Sequence, residues 1–358
     1  MARRSSSCWR GVEGSMANTV IWRYGRFLCR INVSTLWRVL LTGVLALMVA
    51  GFSAAQGAVA VSPLALLHVL SGSADPALSF IIGQLRLPRI LLAALVGGAL
   101  GVSGLILQSI IRNPLASPDL LGISSGASTA AVVYLSFFSM TLGGQYLPLA
   151  AMTGAAIAML AVYGLAWQRG VSPLRLVLIG VGVSALLTAI TTFLLVFSPL
   201  STTLSAYVWM AGSVYGANWD DVRTLGLWLL ALLPWLALLA RQVMFQQLDD
   251  GLATGIGVRV QWLRGGLLLL SVALAGTAIA WGGAMAFVGL IAPHIARRLV
   301  APTFSGQALM STLTGAILVM LADSVGRVLF LPADLPAGIF VAVLGAPFFL
   351  YLLIRQRQ

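Results

Sequence analysis

Long runs without a single charge divide the chain. They cover residues 39–74, 90–111, 120–168, 176–219, 224–240, 265–296, 299–322 and 335–354, and the charges crowd between them. Nearly all reach the roughly 20 apolar residues that cross a hydrocarbon core. Run 39–74 predicts one span near 36–56, then a less regular stretch with Gln56, Pro63, His68 and Asp75. A second span is expected near 90–110, and run 120–168 holds two, broken at Gly143-Gly144-Gln145. The fifth ends near Phe197, because Ser198-Pro199-Leu200-Ser201-Thr202-Thr203 is too polar to continue it; 224–240 is short but sufficient. Run 265–296 holds one full span and a short one, broken at Trp281-Gly282-Gly283, and 307–330 and 336–354 complete ten. The pattern is that of an all-α, polytopic membrane protein.

Composition agrees. Of 358 residues 59% are hydrophobic and 8% charged, where a soluble domain carries about a quarter charged. All 21 basic residues are Arg. Without Lys there is no P-loop lysine for nucleotide phosphates, and Schiff-base chemistry is excluded as well. Glu13 is the only Glu. Cys8 and Cys29 both precede the first span, so no disulfide framework is implied.

The net charge of +12 would suggest nucleic acid in a soluble protein. Topology explains it better, and no nucleic-acid partner is expected. With ten spans, seventeen arginines fall on the face that holds both termini, and only Arg86, Arg89, Arg223 and Arg327 on the other. Excess basic residues mark the cytoplasmic side. The first span imitates a signal peptide, with an Arg-rich flank and small residues at Ser53-Ala54-Ala55-Gln56-Gly57-Ala58. Cleavage there would leave nine spans and break the charge pattern. Residues 1–35 are expected to be a basic cytoplasmic tail, or sequence upstream of a start at Met16; residues 36–358 form the transmembrane domain.

Several constellations carry candidate chemistry. Gly97-Gly98-Ala99-Leu100-Gly101-Val102-Ser103-Gly104, and Gly122 with Gly126, place small residues on helix faces. Close helix packing in lipid accounts for them. Gly122-Ile123-Ser124-Ser125-Gly126 matches a G-x-S-x-G nucleophile elbow, which needs a strand-to-helix turn and an acid–His pair. An intramembrane serine hydrolase using Ser124 is the remote alternative, with His294 as the nearest base. Asp323 is the one carboxylate within an expected span, and Arg327, four residues on, offers it a local ion pair. Residues 241–264 form the longest internal polar loop on the cytoplasmic side. Within it Leu248 through Val258 has the apolar positions of a short amphipathic helix ending at Gly257. A loop of that length with its own helical pattern is more often functional than a plain connector.

From about residue 60 onward the chain resembles the FecCD-type permeases of bacterial ATP-binding cassette (ABC) importers for ferric siderophores, haem and vitamin B12. The matching stretches are Arg86-Leu87-Pro88-Arg89, Asn113-Pro114-Leu115-Ala116-Ser117-Pro118-Asp119-Leu120-Leu121-Gly122, and Ile256-Gly257-Val258. Phe287-Val288-Gly289-Leu290-Ile291-Ala292-Pro293-His294, Leu321-Ala322-Asp323, Leu335-Pro336-Ala337-Gly338 and Leu344-Gly345-Ala346-Pro347 follow in order. The resemblance implies ten spans in the bacterial inner membrane and a pathway shared with a second permease subunit. It also implies two cytoplasmic ATPase subunits and a periplasmic or lipoprotein binding protein. ATP hydrolysis then belongs to the ATPase, and this chain is no enzyme.

The resemblance also distributes roles. Leu248, Ala253, Ile256, Gly257 and Val258 would contact the ATPase, although Asp249 stands where Gly is common. Arg86, Arg89 and Arg327 would receive glutamates of the binding protein, by the bidentate pairing that Arg suits. Asn113, Leu115 and Ser172 would form the cytoplasmic gate; their plain reading is capped turns between helices. The Asn113–Asp119 and Gly216-Ala217-Asn218-Trp219 stretches look more like the ferric-siderophore branch than the vitamin B12 branch, with a vitamin B12 or haem permease of the same family as the alternative. No cofactor and no resident metal site are expected, since iron would travel already chelated.

Overall fold

The computed structural model describes residues 19–24, 27–57, 61–62, 65, 68–69, 75–243, 245, 250–330 and 334–356. Among the described residues two antiparallel strands, β1 (Thr19–Tyr24) and β2 (Phe27–Asn32), precede twelve helices of six residues or more. These are α1 (Val33–Ala55), α2 (Pro76–Ile111), α3 (Ile123–Phe137), α4 (Leu147–Ala166), α5 (Pro173–Phe197), α6 (Leu200–Ala211), α7 (Trp219–Val243), α8 (Asp250–Gly255), α9 (Val260–Gly282), α10 (Val288–Leu299), α11 (Phe304–Leu329) and α12 (Ala337–Gln356). Eight are long and apolar enough to cross a membrane; α3, with 15 residues, is a shorter apolar helix, and α10 has 12 residues. Each of the ten expected segments is thus helical, and eight of them are long enough to span.

Side-chain and backbone links sort the connections into two ends. At one end Arg38 donates to the Leu299 carbonyl, Arg112 pairs with Asp250, and the Val171 amide donates to Gln261. At the other Arg86 donates to the Ala54 carbonyl, Trp219 Nε1 to the Gly83 carbonyl, and the Gly338 amide to the Gly212 carbonyl. The arginine-rich connections all lie at the first end, which is the cytoplasmic one.

Helix α2 is the axis of the fold. Its most apolar window is 83% buried, and α9 follows at 78%, while the corresponding windows of α1 and α7 are 6% buried. α2 packs against α9, α10 and α11. The reason is the small-residue face. A Cβ on Gly97 would meet the Gly315 carbonyl, one on Gly101 the Ser311 carbonyl, and one on Gly104 the Gly289 carbonyl. Gly126 and Gly154 bring α3 and α4 together in the same way. Lipid gives no hydrophobic drive between helices, so close backbone contact and dispersion supply the adhesion.

Two expectations are corrected. Residues 19–32, expected as an aperiodic tail, contain the β1–β2 pair; their β-branched and aromatic residues suit strands. The second span starts at Pro76 rather than near residue 90, with a π-helical stretch at Ile81–Arg86. Arg86 and Arg89 therefore lie about three turns inside a helix rather than at its opening.

The connection from α2 to α3 re-enters the bundle. Pro118–Leu121 forms a 3₁₀ turn against Gly180, two helical turns inside α5, and against Gly289 of α10. Gly122, at φ +78°, then starts α3 in a left-handed conformation that a side chain resists. Phe287 opens α10 with φ 66° although it has a side chain; its amide donates to Asp119, and its ring lies beneath Gly345. Asp119 is thus a second acidic group held among the helices, in addition to Asp323.

Candidate functional site

At the cytoplasmic end α2 stops at Arg112, whose left-handed backbone (φ 55°) turns the chain. Asn113 Oδ1 accepts from the Leu115 amide at 2.9 Å and fixes that turn. Asn113, Pro114, Arg112, Gln108, Ser109 and Arg297 line a polar cavity of about 210 Å³. Leu115 packs with Leu290, Ile291 and Leu352 of α10 and α12. Ser172 sits at a separate turn, where its hydroxyl accepts from the Arg175 amide at 3.3 Å and caps α5. Asn113 and Ser172 each cap a turn. Of the three expected gate residues Asn113 alone lines the polar cavity, while Leu115 packs beside it in the chain and Ser172 lies at a separate connection.

The loop between α7 and α9 carries α8. Leu248 lies outside the described residues. Ala253 is 1% exposed and turned into the permease, whereas Leu252 and Ile256 are 65% and 61% exposed. Gly257, at φ +87°, ends the helix, and Val258 packs against the core. The face available to a partner is therefore Leu252 with Ile256, one turn apart, and not Ala253. The signal for Leu252 was its spacing of four from Ile256.

Asp250 opens α8 and holds it. Its carboxylate accepts from Arg112 Nη2 at 2.5 Å and from Arg264 Nη2 at 2.9 and 3.0 Å. Burial alone pushes this carboxyl up, but the hydrogen bonds from Arg112 and Arg264 outweigh it and hold it below the usual range.

At the outer end the expected Asp323–Arg327 pair is not formed. Arg89 takes Asp323 instead, with Nε at 2.9 and 3.0 Å and Nη2 at 2.7 Å, and grips Asp334 at 2.5 and 2.8 Å. The Tyr215 ring lies 5.6 Å from its guanidinium carbon. Arg327 reaches away to the Ser53 carbonyl at 2.5 Å and the Ser53 hydroxyl at 3.0 Å, and Arg86 donates to the Ala54 carbonyl at 2.7 Å. The last carbonyls of α1 have no helical partner and sit at the negative end of its dipole. That is the pull which outcompetes a helical neighbour for Arg327. All three arginines are buried, so direct docking on freely exposed guanidinium groups does not describe them; among the described outer-face arginines Arg223 alone is exposed.

Ser124 donates its hydroxyl to Asp119, while His294 packs edge-on against Phe348. Among the described residues Ser124 has no imidazole partner, so the elbow match lacks its base.

The FecCD transport family model matches residues 20–355. The achromobactin transport system permease protein CbrC of Dickeya dadantii is 70% identical over 97% of this chain and 99% of its own length. The iron(3+)-hydroxamate import permease FhuG of Bacillus subtilis is 39% identical over 84% and 91%. Among solved structures, a metal-chelate type ABC transporter in an inward-facing conformation matches with TM-score 0.78 and 29% identity, covering 89% of this chain and 99% of the other. Sequence, helix order and fold agree: the chain belongs to the FecCD transport family, the multi-pass permease subunits of bacterial inner-membrane ABC importers, which work with ATPase and substrate-binding partners.

Proposed function

We propose that this chain carries an iron(III)-siderophore chelate through the inner membrane, as one of two permease subunits above two ATPase subunits. The observation that supports it is the 70% identity to an achromobactin permease along almost the whole of both chains. Helix α8 is the ATPase contact, through the exposed pair Leu252 and Ile256, an anchor spacing suited to a groove. Asn113 and Leu115 close the inner mouth, with Ser172 at its border.

At the outer end the binding protein engages the Arg89 cluster by exchange. An incoming carboxylate takes the place of Asp334, whose side chain is 23% exposed on the rim, while Asp323 keeps the inner half of the guanidinium. The test is uptake into liposomes holding the permease, its ATPase and its binding protein. ATP-dependent accumulation of labelled iron supplied as its achromobactin chelate, with none of labelled cobalamin, is the expected result. Cobalamin uptake without iron uptake would overturn the substrate.

A further inference from the structure

One side chain joins the proposed ATPase contact to both halves of the proposed gate. Asp250, the first residue of α8, shares its carboxylate between Arg112 at the end of α2 and Arg264 in the first turns of α9. Arg112 immediately precedes Asn113. Arg264 has a further tie, for its Nη1 donates to the carbonyl of Val171, the residue before Ser172. The Val171 amide in turn donates to Gln261 of α9 at 2.9 Å. Two links therefore run from the docking helix to the two turns at the cytoplasmic mouth.

The links differ in environment. Arg264 is fully buried, and its Nε finds no acceptor among the described residues, so Asp250 and Val171 are what hold that charge. A fully buried guanidinium deprived of its carboxylate is strongly penalised, so this half persists. The Arg112 side chain is 29% exposed and that of Asp250 43%, which makes their contact the weaker and exchangeable half.

We propose that Asp250 is a positioning residue for transport. It keeps α8 and the Val171–Ser172 turn in one unit through Arg264, and it makes and releases Arg112 as the ATPase moves α8, shifting Asn113 and Leu115. The proposal rests on α8 being the ATPase contact, and the experiment separates the two.

The reporter is maleimide reactivity of Leu115→Cys in the assembled complex, with Cys8 and Cys29 replaced by Ser. In the parent the reactivity changes on ATP binding. In Asp250→Asn the ATPase still co-purifies, but the ATP-dependent change falls about tenfold, the scale of a coupling between sites. Asp250→Glu restores most of it, and Arg112→Gln, which spares the buried half, reproduces the loss. An unaltered ATP response in both Asp250→Asn and Arg112→Gln overturns the joint. So does a loss in Asp250→Asn that Asp250→Glu fails to restore, because that marks a folding role alone. Failure of the docking reading shows elsewhere, as undiminished ATPase co-purification in Leu252→Arg.

Discussion

Charged side chains in this protein are defined by which carboxylate or carbonyl reaches them first. Asp323 is buried with Arg89, and Arg89 is also held by Asp334. Asp323→Asn leaves a buried guanidinium short of a charge, so a loss of about 3–5 kcal/mol is expected, on the scale of a broken buried pair. A lowered melting temperature of the detergent-solubilised permease reads it. Asp334→Ala acts on the exposed half and should tighten binding-protein affinity several-fold by removing a competitor for Arg89; weaker or unaltered affinity would count against carboxylate exchange. Asp250 responds to pH in a defined direction. Its folded carboxyl sits below the usual range, so its contribution is present above the unfolded value, about pH 4, and is lost only as pH falls through the lower folded value. The ATP-dependent change in Leu115→Cys reactivity should therefore be the same at about pH 5.5 as at about pH 7.5.

At the scale of elements, α8 separates two kinds of surface within six residues. Leu252→Arg or Ile256→Arg places a charge on the exposed face, so the ATPase should no longer co-purify while the melting temperature of the permease alone holds. Ala253→Arg forces bulk and charge into a site that is 1% exposed, so the permease itself should melt lower. Equal effects of the three changes on co-purification, with none on melting, would show that α8 docks by its other side. Arg86 and Arg89 make the complementary point. Their positions in the sequence suggested a helix opening, yet α2 begins at Pro76 and carries them inside the bundle.

For the whole molecule, the small-residue seam of α2 is the feature on which assembly depends. Gly104→Ala would drive a methyl into the Gly289 backbone, and a cost of about 1–3 kcal/mol is expected from overpacking. Gly43→Ala, which meets nothing within 4 Å, should be silent in the same melting experiment. A silent Gly104→Ala would remove close packing as the reason for the seam.

The apolar helical segments were legible in the sequence because hydropathy reports directly on the bilayer, whatever the neighbours are. So were the turns at Asn113 and Ser172, the small-residue face, and the family, which follow from local chemistry in register. What lay beyond reach was the choice among partners. Asp323 and Arg327 are one turn apart on one helix, yet Arg89, 234 positions away in the chain, supplies the ion pair. Asp250 unites residues 112 and 264 for the same reason. Sequence spacing sets which groups are neighbours on one helix. Packing of α1, α2, α9 and α11 sets which carbonyl or carboxylate lies within hydrogen-bond reach, and at that range, in a dry interior, the nearest well-aligned partner wins.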